Sequence, residues 1–243
     1  MKRPSWTVNA LAVVVLAILP VSAAAEIDLV VTISVAAGEH DRSNTPLVAR
    51  LPFAPSAVSR AEVVVKDARG QLVPAQLVTP GLLAPRNDQA ELHWILPRLK
   101  AGATASFSAT LVPRSQPDST STGFGWHDTP GRHADVVFLE RGRKPRGIPR
   151  KVVRYMYRAY ENDPAKRDLD NKPFHHVFDP SGSRIVTKGT GGLYTHHQGL
   201  FYGFTRCTFP GGQCNTWYCH EGEHQLHRKV LAQSAGAVLA RHR

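Results

Sequence analysis

The sequence predicts an all-β protein, in which an immunoglobulin-like β-sandwich precedes a second β-sandwich domain that is incomplete at its C-terminus. Apolar and polar residues alternate along several short segments, which is the pattern of half-buried strands. Proline and glycine separate these segments at intervals typical of sandwiches. No long segment after the N-terminal region keeps the period of an amphipathic helix.

Residues 1–25 have the composition of a cleavable signal peptide. Lys2 and Arg3 give a positive start, residues 11–19 are all apolar, and three alanines precede Glu26. The apolar run is shorter than the roughly 20 residues that a membrane helix needs, so a retained anchor is the weaker interpretation. We therefore expect export to the periplasm or the extracellular space, with no membrane span after cleavage.

Residues 26–113 carry the strand patterns of the first domain. The first strand begins at Ile27, and alternate residues up to Val35 are apolar. Further strands are predicted at residues 61–66, 71–78, 91–96 and 103–111. We expect Pro97 to end the strand that precedes it. No catalytic constellation is evident in these residues, which indicates a supporting or docking domain.

Residues 114–122 are rich in serine, threonine and proline and are predicted to be a linker. The second domain, residues 123–243, contains ten of the twelve histidines. Its strands are predicted at residues 135–140, 151–158 and 199–204, and residues 223–232 fit a helix or a strand equally. The last residues show neither a closing turn nor a cap, so we expect the domain to be truncated.

The chain is basic, with a formal net charge of +11. Six bases lie close together in the sequence: Arg141, Arg143, Lys144, Arg146, Arg150 and Lys151. Such a run suits nucleic acid, an anionic polysaccharide or a membrane surface. Because no aromatic residue is interleaved with these bases, they offer no stacking platform for single-stranded nucleic acid. We expect no nucleic-acid partner and interpret the run as a solvated loop.

Three cysteines, Cys207, Cys214 and Cys219, lie near one another in the second domain. In an oxidising compartment one pair can form a disulfide, and one thiol is then left over. Their spacing allows only a local link within one loop or hairpin. The sequence leaves the pairing open.

The candidate site lies in three segments, residues 172–182, 187–204 and 215–220, that combine histidine, glycine and aromatic residues. Neighbouring residues on a strand face opposite sides, so one histidine of each His-His pair can point into a common cleft. We predict three catalytic residues, His176, His196 and His197, because imidazoles transfer protons near neutral pH. The predicted ligand-binding residues are Lys172, His175, Tyr194, Gln198, Asn215, Trp217 and His227.

Three interpretations of this site stay open, and with them the question of whether the chain is an enzyme. The first is a site for a carbohydrate-like polar ligand. The second is a metal site of an oxidoreductase or hydrolase, for which His196, His197, His220, His224 and Cys219 are competent ligands. The third is a non-catalytic scaffold in which histidines satisfy buried backbone groups. The cofactor, the substrate and the oligomeric state are not predicted.

Two common catalytic motifs are absent from the sequence. The glycines of residues 189–192 lack the spacing, lysine and following helix of a phosphate-binding loop. No G-x-S-x-G nucleophile elbow is present.

Four motifs occur in the same order as in a known family: Lys172–His176, His196–Gly203, Asn215–Trp217 and Gln225–His227. In this order they resemble a bacterial family of unknown function that carries the label "methane oxygenase PmoA". The resemblance covers about residues 150–243. It implies an exported β-sandwich protein that is associated with carbohydrate. The oxygenase label does not suit a chain without membrane spans after its signal.

The chain departs from the family pattern at three positions. Gln198 stands where an arginine is usual, Asn215 where an aspartate is usual, and Tyr218 where a histidine often follows the tryptophan. These departures weaken the case for acid-base chemistry along residues 215–218.

Overall fold

The computed structural model describes residues 13–19, 29–51, 55–59, 61–81, 89–113, 122–140 and 149–243. Nearly all of its regular elements are strands in antiparallel sheets, which confirms the predicted all-β class. The chain divides into two compact units. The N-terminal unit comprises residues 1–119 with 236–239, and the C-terminal unit comprises residues 120–235 with 240–243.

The N-terminal unit is a sandwich of two antiparallel sheets. Its strands are β1 (Val13–Leu19), β2 (Leu29–Ala36), β3 (Arg42–Leu51), β4 (Ala61–Asp67), β5 (Leu72–Val73), β6 (Ala75–Val78), β7 (Ala90–Leu99) and β8 (Thr104–Pro113), with a short 3-10 helix at Pro55–Ser59. One sheet has the order β1-β2-β8-β4-β5, and the other has the order β3-β7-β6.

A single apolar core lies between these two sheets. Ile33 on β2 and Leu92 on β7 are fully buried, as every second residue of a strand on a covered face must be. Trp94 is also fully buried and meets Phe107 of β8 edge-to-face, with ring centroids 6.0 Å apart. Burial of each such side chain contributes about 1.5–3 kcal/mol, so this core is the main source of stability in the unit.

The C-terminal unit is built on one four-stranded antiparallel sheet. Its strands are β9 (Gly123–Thr129), β10 (His133–Leu139), β11 (Arg150–Met156) and β12 (Phe174–Val177), in the order β12-β11-β10-β9. Two small hairpins follow, β13 (Cys207–Phe209) with β14 (Gly212–Cys214) and β15 (Gln233–Ala235) with β16 (Ala240–His242). The helix α1 (Arg167–Asp170) is one turn long.

An ion pair holds the middle of this sheet. Asp135 on β10 and Arg154 on β11 are direct register partners, and the guanidinium donates two hydrogen bonds of 2.7 and 2.9 Å to the carboxylate. Burial alone would raise the pKa of Asp135, but the hydrogen bond and charge of Arg154 outweigh it, so the pKa is lowered. His133 and Lys151 lie 4.0 Å from the same carboxylate.

The predicted strands of residues 26–113 agree with β2, β4, β6, β7 and β8, with one correction at Pro97. β7 continues past this proline to Leu99. The register of β3 and β7 skips from the pair Ser43–Arg98 to the pair Thr45–Leu96, and β6 pairs only as far as Trp94. The missing N–H of Pro97 therefore interrupts no ladder hydrogen bond.

Two predicted elements of the second domain are wrong. Residues 199–204 form no strand; one isolated bridge joins Leu200 to His175. Gly199 has a φ of +39°, which bends the chain away from an extended path. Residues 223–232 form neither helix nor strand, and the Gln225 N–H bonds instead to the carbonyl of Asn171.

Three predictions concern segments that the structure describes only in part. β1 falls within residues 1–25 and pairs with β2; removal of that segment stays a prediction. Of the predicted linker, residue 122 is described, and residues 114–121 lie outside the described ranges. Residues 141–148 of the basic run also lie outside them, whereas Arg150 begins β11 and donates to the Pro180 carbonyl at 2.9 Å.

None of the described helices is long and apolar enough to cross a membrane.

Candidate functional site

A cleft of about 570 Å³ opens beside β11 and β12 of the C-terminal unit. We call it the Tyr155 cleft. Its lining includes six tyrosine, histidine and glutamine side chains: Tyr155, His175, Tyr202, Gln225, His227 and His242. Apolar side chains such as Leu200 and Phe201 complete the wall. A concave, mostly apolar surface with a few convergent polar groups is typical of small-molecule sites.

Strand pairing brings the first two of these residues together. Tyr155 and His175 are direct register partners in the antiparallel pair β11–β12. Side chains of such partners are close enough to pack, and here the two rings stack with centroids 4.9 Å apart. Since side chains alternate along β12, His176 faces the other side of the sheet. Of this histidine pair, only His175 lines the cleft.

Two further imidazoles contact the ring of Tyr155. The Tyr155 hydroxyl lies 3.2 Å from Nδ1 of His227, which is hydrogen-bond distance. The His242 ring meets the Tyr155 ring edge-on, with centroids 4.9 Å apart, and stacks on Trp126 of β9 at 5.1 Å. The tryptophan is fixed in turn, because its Nε1 donates to the Ser234 carbonyl at 3.1 Å. One tyrosine ring is therefore in contact with three histidines.

The part of the cleft wall where Leu200 pairs with His175 of β12 depends on a glycine. His175 and Leu200 exchange two backbone hydrogen bonds of 2.8 and 2.9 Å. The preceding Gly199 approaches β12 so closely that a Cβ there would clash with the His175 carbonyl oxygen. No side chain fits at this position, and the positive φ favours glycine as well. The sequence Gly199-Leu200 thus fixes the backbone of His175 in place.

Burial sets the protonation of the cleft. Desolvation lowers the pKa of His175 and of His242, and the charges that His175 and His227 would carry lower the pKa of His242 further. Desolvation also raises the pKa of Tyr155. Near neutral pH His175 and His242 are therefore neutral, each with one donor and one acceptor nitrogen, and the tyrosine keeps its proton.

The predicted catalytic pair His196-His197 lies in a different cluster. The two rings meet edge-to-face at 4.3 Å, His196 packs against Tyr218 at 4.6 Å, and His197 stacks on Tyr194 at 5.4 Å. The Trp217 ring lies 5.9 Å from His197. Burial lowers the pKa of His196, and the nearby charge of His197 adds to the effect. This aromatic cluster does not line the Tyr155 cleft.

Three predicted ligand-binding residues have hydrogen-bonding roles within the fold. Lys172 is buried; its Nζ donates to the carbonyls of His196 and Trp217 and lies over the Phe201 ring. Gln198 is buried as well, and its Nε2 donates to the Asp168 carbonyl. Asn215 caps a turn through its Oδ1, which accepts from the N–H groups of Trp217 and Tyr218 at 3.1 and 3.0 Å.

The third predicted catalytic residue, His176, is a buried histidine with a local partner. Its Nδ1 lies 3.1 Å from Oγ1 of Thr187, and its ring packs edge-on against Phe174. The same threonine hydroxyl accepts from the Val177 N–H at 3.1 Å. These bonds tie β12 to the following loop.

The sequence led us to expect that the two His-His pairs share one cleft. In the structure they lie apart. β12 directs His175 and His176 to opposite faces, and residues 188–199 keep His196 and His197 with Tyr194 and Trp217. Of the predicted site residues, His175 and His227 line the cleft. Tyr155 and His242, which complete it, were missed, because cross-strand register rather than local sequence brings them there.

The described residues contain no group of three or more histidine, cysteine, aspartate or glutamate side chains placed to hold a metal ion. The competent ligands named from the sequence are therefore not assembled into a metal site within these ranges.

The segment that forms the cleft has relatives. Residues 149–243 match a family of unknown function (DUF6807). The match includes every residue named above as lining the Tyr155 cleft, and it supports the predicted similarity to a family of unknown function over this range. No curated protein and no solved structure matches the chain.

Proposed function

We propose that the C-terminal unit binds a carbohydrate-like polar ligand in the Tyr155 cleft. The observation that carries this proposal is the contact of one tyrosine ring with three imidazoles, His175, His227 and His242, at the wall of an open cleft. These four side chains are partly buried, which has a desolvation cost for their polar groups, and hydrogen bonds to a ligand would offset it.

The chemistry of the lining suits a ring-shaped, hydroxylated molecule. Neutral imidazoles donate one hydrogen bond and accept another, as sugar hydroxyls do. The exposed ring of Tyr202 at the mouth offers an apolar surface against which the C–H face of a sugar ring can pack, with a polar hydroxyl at its tip. The volume, about 570 Å³, lies within the usual range of roughly 300–1,000 Å³ for small-ligand sites.

The same groups would permit proton transfer. An imidazole whose pKa is lowered by burial, such as that of His175, is unprotonated at neutral pH and can accept a proton from a ligand hydroxyl. Processing of the ligand would follow if a bound sugar presented a reacting atom within hydrogen-bond distance of His175 or His227.

Export through residues 1–25 belongs to the same proposal, since it would bring the cleft to extracellular saccharides. Recovery of secreted chain that begins at Glu26 would support it.

A glycan array followed by calorimetry on the full chain tests the proposal. The strongest saccharide is titrated against the original chain and against the variants His175→Ala and Tyr155→Phe. We expect at least a tenfold loss of affinity in both, because each variant removes a polar group from the cleft. His196→Ala is the matched control from the other cluster and should bind normally. No saccharide bound, or equal loss in His196→Ala, would contradict the proposal.

A further inference from the structure

Among the described residues, the side chains that line the Tyr155 cleft include bases but no acids. Arg228, Lys229 and Arg243 lie along it, and its lining contains no aspartate or glutamate. Arg228 and Lys229 are exposed, and neither makes an ion pair with any of the described residues. Three imidazoles face the same space. The charges of Arg228 and Lys229 are therefore left for a ligand to balance.

Two other hollows of the C-terminal unit make a contrast. One, lined by Arg206, also contains Glu221 and Glu223, and the other balances Lys166 and its neighbouring arginines with Glu161 and Asp170. Acidic and basic side chains thus line these two pockets together, as is expected for the surface of a basic protein. The net positive charge of the chain therefore does not by itself explain why the Tyr155 cleft has bases but no aspartate or glutamate.

We infer that the ligand of the Tyr155 cleft is an anionic saccharide, whose carboxylate or sulfate group is bound by Arg228 and Lys229. This inference rests on the proposed function, because it assigns a charge to the ligand of that site. Guanidinium and ammonium groups donate short, charge-assisted hydrogen bonds to such anions. A concave wall of one sign also concentrates the field and attracts the opposite charge from solution.

The ring contacts and the bases have separate tasks in this arrangement. Tyr155, His175 and His227 would recognise hydroxyls at the wall, whereas Arg228 and Lys229 would recognise the charged substituent. A neutral sugar would satisfy only the first set. Discrimination between a neutral sugar and its acidic counterpart therefore measures the second set alone.

The test uses the full chain and an array with equal numbers of neutral, uronate and sulfated saccharides. The strongest acidic hit is titrated by calorimetry beside its carboxyl-reduced or desulfated counterpart. We expect acidic hits, at least a tenfold preference over the neutral counterpart, and weaker binding as salt rises from 50 to 300 mM, because exposed charges are screened. The uronate and sulfated arms tell the two kinds of anion apart.

Charge-removing variants complete the test. Lys229→Gln and Arg228→Gln should each reduce the preference about threefold or more while binding of the neutral counterpart stays unchanged. Arg184→Gln is the matched control, since this exposed arginine of the same unit lies outside the cleft. Neutral hits that bind as tightly as acidic ones would overturn the inference and leave the proposed function intact. The absence of any hit would overturn both.

A different observation carries a second inference, on the cysteines. Cys207 and Cys214 are direct register partners across the hairpin β13–β14. Such partners have Cα atoms about 4.5–5.5 Å apart, which falls within the range of about 4.4–6.8 Å that disulfides require. Cys219 is buried, and its Sγ lies 3.4 Å from the Thr216 carbonyl. The register thus selects one pair where the sequence left three.

We infer that Cys207 and Cys214 form a disulfide in an oxidising compartment and that Cys219 remains a thiol. The two thiols lose two protons and two electrons as the S–S bond forms, and a disulfide-bearing oxidant accepts them by thiol–disulfide exchange. The bond would close the hairpin that leads into Asn215 and Trp217.

Peptide mass spectrometry tests this pairing on the full chain. The chain is incubated with oxidised glutathione, unfolded in the presence of an alkylating agent, and digested. We expect a Cys207–Cys214 cross-link and an alkylated Cys219. Cys219→Ala should keep the cross-link, and Cys214→Ser should lose it. A cross-link that includes Cys219, or no cross-link in the folded Cys219→Ala chain, would overturn the inference.

Discussion

The two units bury different kinds of side chain. In the described part of the N-terminal unit the buried residues are nearly all aliphatic or aromatic, and Glu91 is the polar exception. Among the described residues of the C-terminal unit, six polar or charged residues are buried: Asp135, Asp170, Asn171, Lys172, His176 and Gln198. Few large apolar side chains are buried there, of which Phe174 is the largest.

This difference implies that the two units are stabilised in different ways. An apolar core stabilises without regard to direction, because burial is favourable in proportion to area. Buried polar groups stabilise the fold only when each has its hydrogen-bond partner. They therefore fix one particular geometry and tolerate fewer substitutions. The fold of the C-terminal unit therefore depends on particular polar contacts, whereas the fold of the N-terminal unit depends on buried apolar area.

The largest expected effect tests the apolar core. Trp94→Ala removes a fully buried ring and leaves a cavity against Phe107, so we expect a loss of about 3–5 kcal/mol in the free energy of unfolding. Urea unfolding followed by circular dichroism measures it. Leu72→Ala, at a residue 73% exposed in the same unit, is the control and should change stability by less than about 0.5 kcal/mol. Similar losses in both would contradict a core centred on Trp94.

The next effect tests the polar construction of the C-terminal unit. Arg154→Met leaves the buried Asp135 carboxylate without its two hydrogen bonds, and we expect a loss of about 2–4 kcal/mol. The value stays below that of a fully isolated charge because His133 and Lys151 remain 4.0 Å away. Urea unfolding checks the loss, with the exposed Arg158→Met as control. If the two variants are equally stable, the ion pair does not hold the sheet.

A matched pair of glycine variants tests the wall of the cleft. Gly199 and Gly191 both have a positive φ, but a Cβ meets the His175 carbonyl oxygen only at Gly199. We expect Gly191→Ala to cost about 1–2 kcal/mol from its backbone conformation alone. Gly199→Ala should cost about 2–3 kcal/mol and also weaken ligand binding, because His175 must shift. Unfolding and calorimetry report the two quantities. Normal binding by Gly199→Ala would show that this wall does not position His175.

The smallest effect is a dependence of stability on pH. Burial lowers the pKa of His175 and His242 in the folded chain, so the unfolded chain binds these protons more readily. The contribution of these two neutral histidines to the free energy of unfolding is fully present above the ordinary histidine pKa of about 6.5, and it falls as the pH drops below that value. We expect urea midpoints to fall from pH 7 to pH 5, and to fall less in His175→Gln. The exposed His40→Gln of the N-terminal unit should keep the original slope. An unchanged slope in His175→Gln would contradict the assignment.

The same difference explains which strands and which cleft residues could be predicted from the sequence. Strict alternation predicted β2 and β8, since one covered face dictates every second residue. β3 was missed because its polar start, from Arg42 to Thr45, shows no alternation. His175 and His227, predicted from the sequence to bind a ligand, line the cleft, whereas the positions of Tyr155 and His242 in it depend on strand register. The separation of His196 from His175 depends on the local path at Gly199, which composition does not encode.

The most direct test of the account is histidine NMR during ligand titration. The full chain is labelled with nitrogen-15 at its imidazoles, and the strongest saccharide from the array is added in steps. A working Tyr155 cleft predicts shifts at His175, His227 and His242, with smaller changes at His196 and His197. Shifts confined to His196 and His197, or no shift at any histidine on saturation, would contradict it.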